Sequence, residues 1–192
     1  MSVEPPVKVQ PQGSALTTQN LIFPLVVIDP ILWPADSTVA AITAPDMPEP
    51  YRGLLAHTHH MTITVEGHYG TRVDVRVLEA AREGDHYRRR IVLTLHGTDQ
   101  IVQYGLVRIN LSLLDRGVQE AILEQMTPLG RILIEHNVLR RVEPTAFLRV
   151  EPGPTLCRHL GLSVAVTLYG RTGVIFCNDQ PAIAVLELLA PI

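Results

Sequence analysis

Four groups of residues in this 192-residue chain have the types and spacing to do chemistry, and three of them suit an anionic ligand. Thr127-Pro128-Leu129-Gly130-Arg131 reads as a helix start, with a Thr able to cap and a Pro at the first helical position. The first N–H groups of a helix have no intrahelical partner, so such a start can hold a carboxylate. An ordinary capped helix is the plainer explanation. Arg88-Arg89-Arg90 falls inside a predicted strand, where alternate side chains face opposite ways. One or two of these guanidinium groups must face the covered side, at a cost unless an anion pairs with them. Three arginines on an exposed edge strand are the alternative. Glu187 stands alone in the apolar run Val185-Leu186-Glu187-Leu188-Leu189. Facing inward it is a candidate proton donor or hydroxyl partner; facing outward it is a surface residue.

The fourth group is rich in histidine: His57, His59 and His60, with Glu66 and His68 nearby. Ligands at i and i+2 share one face of a strand, and His is a common zinc ligand. No second cluster has metal spacing and no His-Glu-x-x-His motif occurs, so hydrogen-bonded or solvent-facing histidines are expected, with no metal and no other cofactor. Ser112 and Ser163 lack a Gly-x-Ser-x-Gly elbow, neither Cys157 nor Cys177 has a nearby His in a nucleophile signature, and the glycines are too dispersed to cradle a phosphate.

These residues need a scaffold. Apolar residues make up 46% and charged residues 18%, a globular balance for one domain over 19–192. The net charge of −3 and pI near 6.2 argue against a nucleic-acid partner. No apolar run is long enough to span a bilayer and Met1–Gln12 lacks a signal-peptide core, so the expectation is a cytoplasmic protein with no membrane partner. Residues 1–18 read as a disordered tail, and 19–50, broken by six prolines from Pro24 to Pro50, as an extended covering over the core. From Thr71 the alternation Val73, Val75, Val77 begins an antiparallel meander, continued by His86–Leu95 and Gln100–Leu111. A helix is expected over 115–126 from Val118, Ile122 and Met126, and a second from Pro128 to about His136. Strands return at Leu139–Val150, Val164–Tyr169, Gly173–Cys177 and Ala182–Leu189, with a helical turn or two at Pro154–Leu160. His57–Gly70 stays open: Thr62-Ile63-Thr64-Val65 favours strand, whereas Thr62 and Glu66 could open a helix. The class is α+β with a single antiparallel sheet.

Taken together, four stretches resemble the bacterial chorismate pyruvate-lyases and the wider chorismate lyase-like superfamily. They are Leu54–Thr62 with its Met-Thr dipeptide, Arg89–Leu93, Thr127–Arg131, and the terminal hairpin with Leu168–Arg171, Gln180-Pro181 and Glu187–Pro191. The resemblance spans roughly residues 50–192. It implies about six antiparallel strands covered by helices around a buried pocket, and a helix over Met61–Gly67. It further implies elimination of pyruvate from chorismate to give 4-hydroxybenzoate, without cofactor, as in ubiquinone synthesis. Arg89 would bind the ring carboxylate, assisted by backbone N–H groups at Met61 and Leu129, with Thr127 and Gly130 also at the binding site, and Glu187 would meet the ring hydroxyl. The partner implied is a small aromatic or cyclohexadiene carboxylate. Glu187 lies one residue further from Pro181 than in the family, so either a bulge lies there or the register turns Glu187 away. The alternatives are another enzyme on a carboxylated substrate and a non-catalytic module that binds aromatic acids.

Overall fold

Among the described residues, seven segments with β-branched or alternating sequence pair edge to edge, and five short helices close over the sheet they form. A computed structural model describes residues 33–192 of the chain. The strands are β1 (Thr38–Ile42), β2 (Val73–Glu83), β3 (His86–Leu95), β4 (Ile101–Asn110), β5 (Arg140–Glu151), β6 (Leu168–Cys177) and β7 (Gln180–Leu189). The helices are α1 (Tyr51–Leu55), α2 (Met61–Tyr69), α3 (Arg116–Leu123), α4 (Leu129–Glu135) and α5 (Pro154–Leu160). All strands pair antiparallel in the order β1-β5-β6-β7-β4-β3-β2. This is the expected α+β class, with one strand more than the family resemblance implied.

The extra strand is β1. A proline-free part of the 19–50 segment, Thr38–Ile42, pairs with β5 at the sheet edge. The rest of that segment up to residue 32, and the tail over 1–18, lie outside the described residues. Two further expectations need correction. Val164–Thr167 is not strand, and Gly170–Gly173 is not a break: β6 runs unbroken from Leu168 to Cys177. A Cβ on Gly170 would sit 2.4 Å from the Glu187 carbonyl, so that glycine serves close strand packing rather than a turn. The helix expected over 115–126 stops at Leu123, because Gln125 has φ +61° and Met126 is 79% exposed.

Met61–Tyr69 is helical despite its β-branched run, as the family resemblance implied. Gly70 ends it at φ +65°, a left-handed cap that glycine adopts without strain. Met61, Thr62 and Val65 are buried, and that tertiary burial outweighs the local strand preference.

Side chains alternate across the sheet, so each strand feeds two cores. One face carries Val92, Tyr104, Leu106, Leu186 and Leu188, covered by Leu156 and Leu160 of α5. The other face is shared by two clusters: Val107, Ile109, Val185 and Ile175 under α3 and α4, and Ile91, Leu93 and Leu189 under α1 and α2. The functional residues gather where these two clusters meet.

Candidate functional site

Between the N-termini of α2 and α4 and the middle of the sheet lies a cavity of about 50 Å³. Its floor is Arg89 and Ile91 of β3, Gln103, Gly105 and Val107 of β4, and Val185 and Glu187 of β7; Met61, Pro128, Leu129 and Gly130 form its roof. Thr127 is not among the lining residues. Its side chain caps nothing, and the cap position of α4 falls on Pro128 rather than on Thr127. Gly130 lets the two helix starts approach: a Cβ there would lie 2.8 Å from Thr62 Oγ1 and 3.3 Å from His60 Cβ. Arg131, the last residue of the motif, is taken up by Glu66 of α2, with Nη2 2.6 Å from Oε2.

Strand register sorts the three consecutive arginines. Arg89 faces the cavity, whereas Arg90 faces the opposite side, where it pairs with Glu79 at 3.1 Å. Arg89 is 1% exposed, and its Nε and Nη1 have no hydrogen-bond partner among the described residues. Burial pulls its pKa below the ordinary arginine value, and the nearby Tyr87 hydroxyl pushes the other way. The two groups are neighbours without hydrogen-bond geometry, since the Tyr87 hydroxyl is itself buried and unpartnered. A guanidinium stays charged in proteins, so Arg89 is a desolvated cation that forms no ion pair among the described residues.

Glu187 also faces the cavity. An irregularity in the β6–β7 pairing at Ile175/Phe176, opposite Pro181, absorbs the extra residue and keeps that orientation. Its carboxylate is not free. Arg171 lies directly opposite in β6 and donates from Nε to Glu187 Oε2 at 2.7 Å. Arg171 is 1% exposed and donates from all three nitrogens, for Nη1 also donates to the Leu55 and His57 carbonyls and Nη2 to that of His59. One side chain thus fastens the 55–59 loop to the sheet. Sequence reasoning assigned no role to Arg171, and its only signal was a lone arginine directly opposite Glu187 across the hairpin. Gln103 was missed as well. It is 4% exposed, and its Oε1 is buried without a partner.

His57 and His60 are hydrogen-bonded. His57 Nε2 lies 2.7 Å from the Leu54 carbonyl while Nδ1 accepts from the His59 N–H at 3.0 Å, which assigns the proton to Nε2. His60 Nε2 accepts from Arg140 Nε at 2.7 Å; burial first, then Arg140, lowers its pKa to about 4. His60 stands between the cavity and an outer groove that also contains Ile63, Leu139 and Arg140. Among the described residues no three His, Cys, Asp or Glu side chains are placed to hold a metal ion, and no helix is long and apolar enough to cross a membrane.

No protein-family model matches the sequence, and no curated protein matches it either. Several solved structures are similar. The ligand-binding domain of a protein described as a GntR-family transcriptional regulator from Bordetella bronchiseptica aligns with a TM-score of 0.48 at 18% identity, covering 62% of this chain and 85% of that one. PhnF from Mycobacterium smegmatis aligns with a TM-score of 0.48 at 12% identity, covering 69% of this chain and 64% of PhnF, so this chain spans under two thirds of that protein. A GntR-family transcriptional regulator from Bacillus cereus aligns with a TM-score of 0.40 at 14% identity, covering 62% of this chain and 92% of that chain. The architecture is a single antiparallel sheet covered by helices.

The reaction expected from the family resemblance does not stand. The similar structures are of transcriptional regulators and a regulator's ligand-binding domain, not lyases. Within this chain, the carboxylate meant to serve the ring hydroxyl is bound by Arg171. Pyruvate elimination from chorismate, 4-hydroxybenzoate as its product and a place in ubiquinone synthesis are therefore withdrawn. The catalytic roles of Arg89 and Glu187 were tied to that reaction and go with it.

Proposed function

We propose that the protein is a non-catalytic binding module for a small carboxylic acid with an apolar, ring-sized body. Arg89 carries this reading: a buried guanidinium with two unpartnered nitrogens, opening on a cavity. The side chains that meet at this part of the sheet are Arg89, Arg171 and Glu187, which together leave one uncompensated positive charge. A monoanion neutralises that charge, whereas a phosphate dianion would leave a buried negative charge in its place. A carboxylate also matches the guanidinium fork with two parallel hydrogen bonds. The remaining wall, including Val75, Ile91, Leu93, Val107, Leu129, Ile175 and Val185, suits an apolar body. The first-turn N–H groups of α2, at Met61 and Thr62, adjoin the same space.

Titration calorimetry with benzoate tests this directly. Wild type is expected to bind with a measurable heat, and Arg89→Met to abolish it. The same substitution removes an unpaired buried charge, so it should raise the Tm of the empty protein by a few degrees. Benzoate affinity in Arg89→Met equal to that of wild type, or no binding to wild type at millimolar benzoate, would sink the reading.

A further inference from the structure

We infer that Gln103 sets the specificity of this site, and that the acid it selects carries a hydrogen-bond donor, a hydroxyl or an amine, at the end away from its carboxylate. The inference rests on the binding-module reading above and names the class of acid. Gln103 is 4% exposed and lines the cavity, and its Oε1 is buried without a partner among the described residues. Its cross-strand neighbours are Leu93 on β3 and Leu189 on β7, which have nothing to offer an amide. A buried acceptor left unmade is costly, and a ligand donor is the group that would satisfy it.

The layout fixes where on the ligand that donor belongs. Arg89 lies opposite Val107 of β4, and Gln103 is four residues along the same strand, on the same face. About 13 Å of strand therefore separates the two positions, a span that the long arginine side chain shortens. Between them β4 contributes no side chain, because the position is Gly105, and the Ile91 side chain of β3 packs over it, so that a Cβ there would come within 3.1 Å of Ile91 Cδ1. Arg89 and Gln103, the lining residues with unpartnered polar atoms among the described residues, thus sit on either side of an apolar stretch of the lining. Glu187 beside Gly105 is held by Arg171 through Oε2, and comparison of wild type with Gln103→Met separates the amide's share of a ligand donor from that of this carboxylate. Tyr87 lies two residues from Arg89 on β3, at the anion end.

Three acids of similar shape separate the claims: benzoate, 4-methylbenzoate and 4-aminobenzoate, the last two differing in a methyl and an amine of nearly equal size. Wild type should bind 4-aminobenzoate about tenfold tighter than 4-methylbenzoate, the worth of one buried hydrogen bond. In Gln103→Met that ratio should fall to about one or invert. If wild type binds benzoate but prefers the methyl compound or treats both alike, the inference about Gln103 is overturned while the acid-binding reading stands. A tenfold preference retained in Gln103→Met overturns it as well. Should benzoate itself fail to bind, the acid-binding reading falls and takes this inference with it. The wild-type ratio decides the matter even if the variant does not fold.

Discussion

Arg89 and Arg171 point to the same side of one sheet and are equally buried, yet they do opposite work. Arg171 spends its donors on Glu187 and on the Leu55, His57 and His59 carbonyls, so it is a structural clamp. Arg89 has no partner at Nε or Nη1 among the described residues, and the proposed binding role rests on that. Replacing Arg171 by Met should cost about 3–5 kcal/mol, because it strands a buried carboxylate and frees the loop carbonyls. Urea denaturation measures this, and the double variant Arg171→Met/Glu187→Gln should recover part of the loss. An Arg171→Met midpoint equal to wild type would show that the clamp holds nothing. The pairing was hidden in the sequence for a physical reason. Arg171 faces Glu187 only if β6 runs straight through Gly170 and Gly173, and two glycines three residues apart read as a break. Arg89 was more legible, since three consecutive arginines in a strand cannot all face solvent.

At the scale of elements, the roof of the cavity depends on two helix starts packed without a spacer. Gly130→Ala would place a Cβ 2.8 Å from Thr62 Oγ1, forcing α2 and α4 apart. The expected cost is about 1–3 kcal/mol, with a fall in both Tm and benzoate affinity. Thr62→Ala in the same chain should restore part of each; an alanine variant as stable and as tight as wild type would show that the approach is not needed. The meander and the terminal hairpin were readable because their alternation is strong. α2 was not, because Thr62-Ile63-Thr64-Val65 carries strand propensity and only packing under α4 and against the sheet decides for helix. The left-handed cap at Gly70 was the overlooked local signal. Likewise Met126 continued the spacing of Val118 and Ile122, but the helix had already ended at Leu123.

For the molecule as a whole, three histidines connect stability to pH. His57, His60 and His159 all have pKa values lowered chiefly by burial, with neighbouring arginines adding to the effect. The unfolded chain therefore binds more protons than the folded one between the ordinary histidine range and the lowered folded values, about 4 for His60. Their contribution is fully present above about pH 6.5 and declines as the pH falls towards 4. Each group adds a slope of at most about 1.4 kcal/mol per pH unit. Urea midpoints measured from pH 7.5 to 4.5 should fall steadily, and His60→Gln should flatten the curve. A flat wild-type profile over that range would refute the linkage.

The cavity measures about 50 Å³, against roughly 150 Å³ for an apolar hole that accepts a benzene ring. On the reading proposed above, the empty protein is therefore not a mould of its ligand, and an arriving acid must displace a wall to fit. The sheet, cross-braced by its neighbours, is the stiff side; the compliant side is the roof of His60, Met61, Leu129 and Gly130. His60 belongs also to the outer groove with Ile63, Leu139 and Arg140. Filling the interior would therefore displace His60, a residue whose other side faces the outer surface.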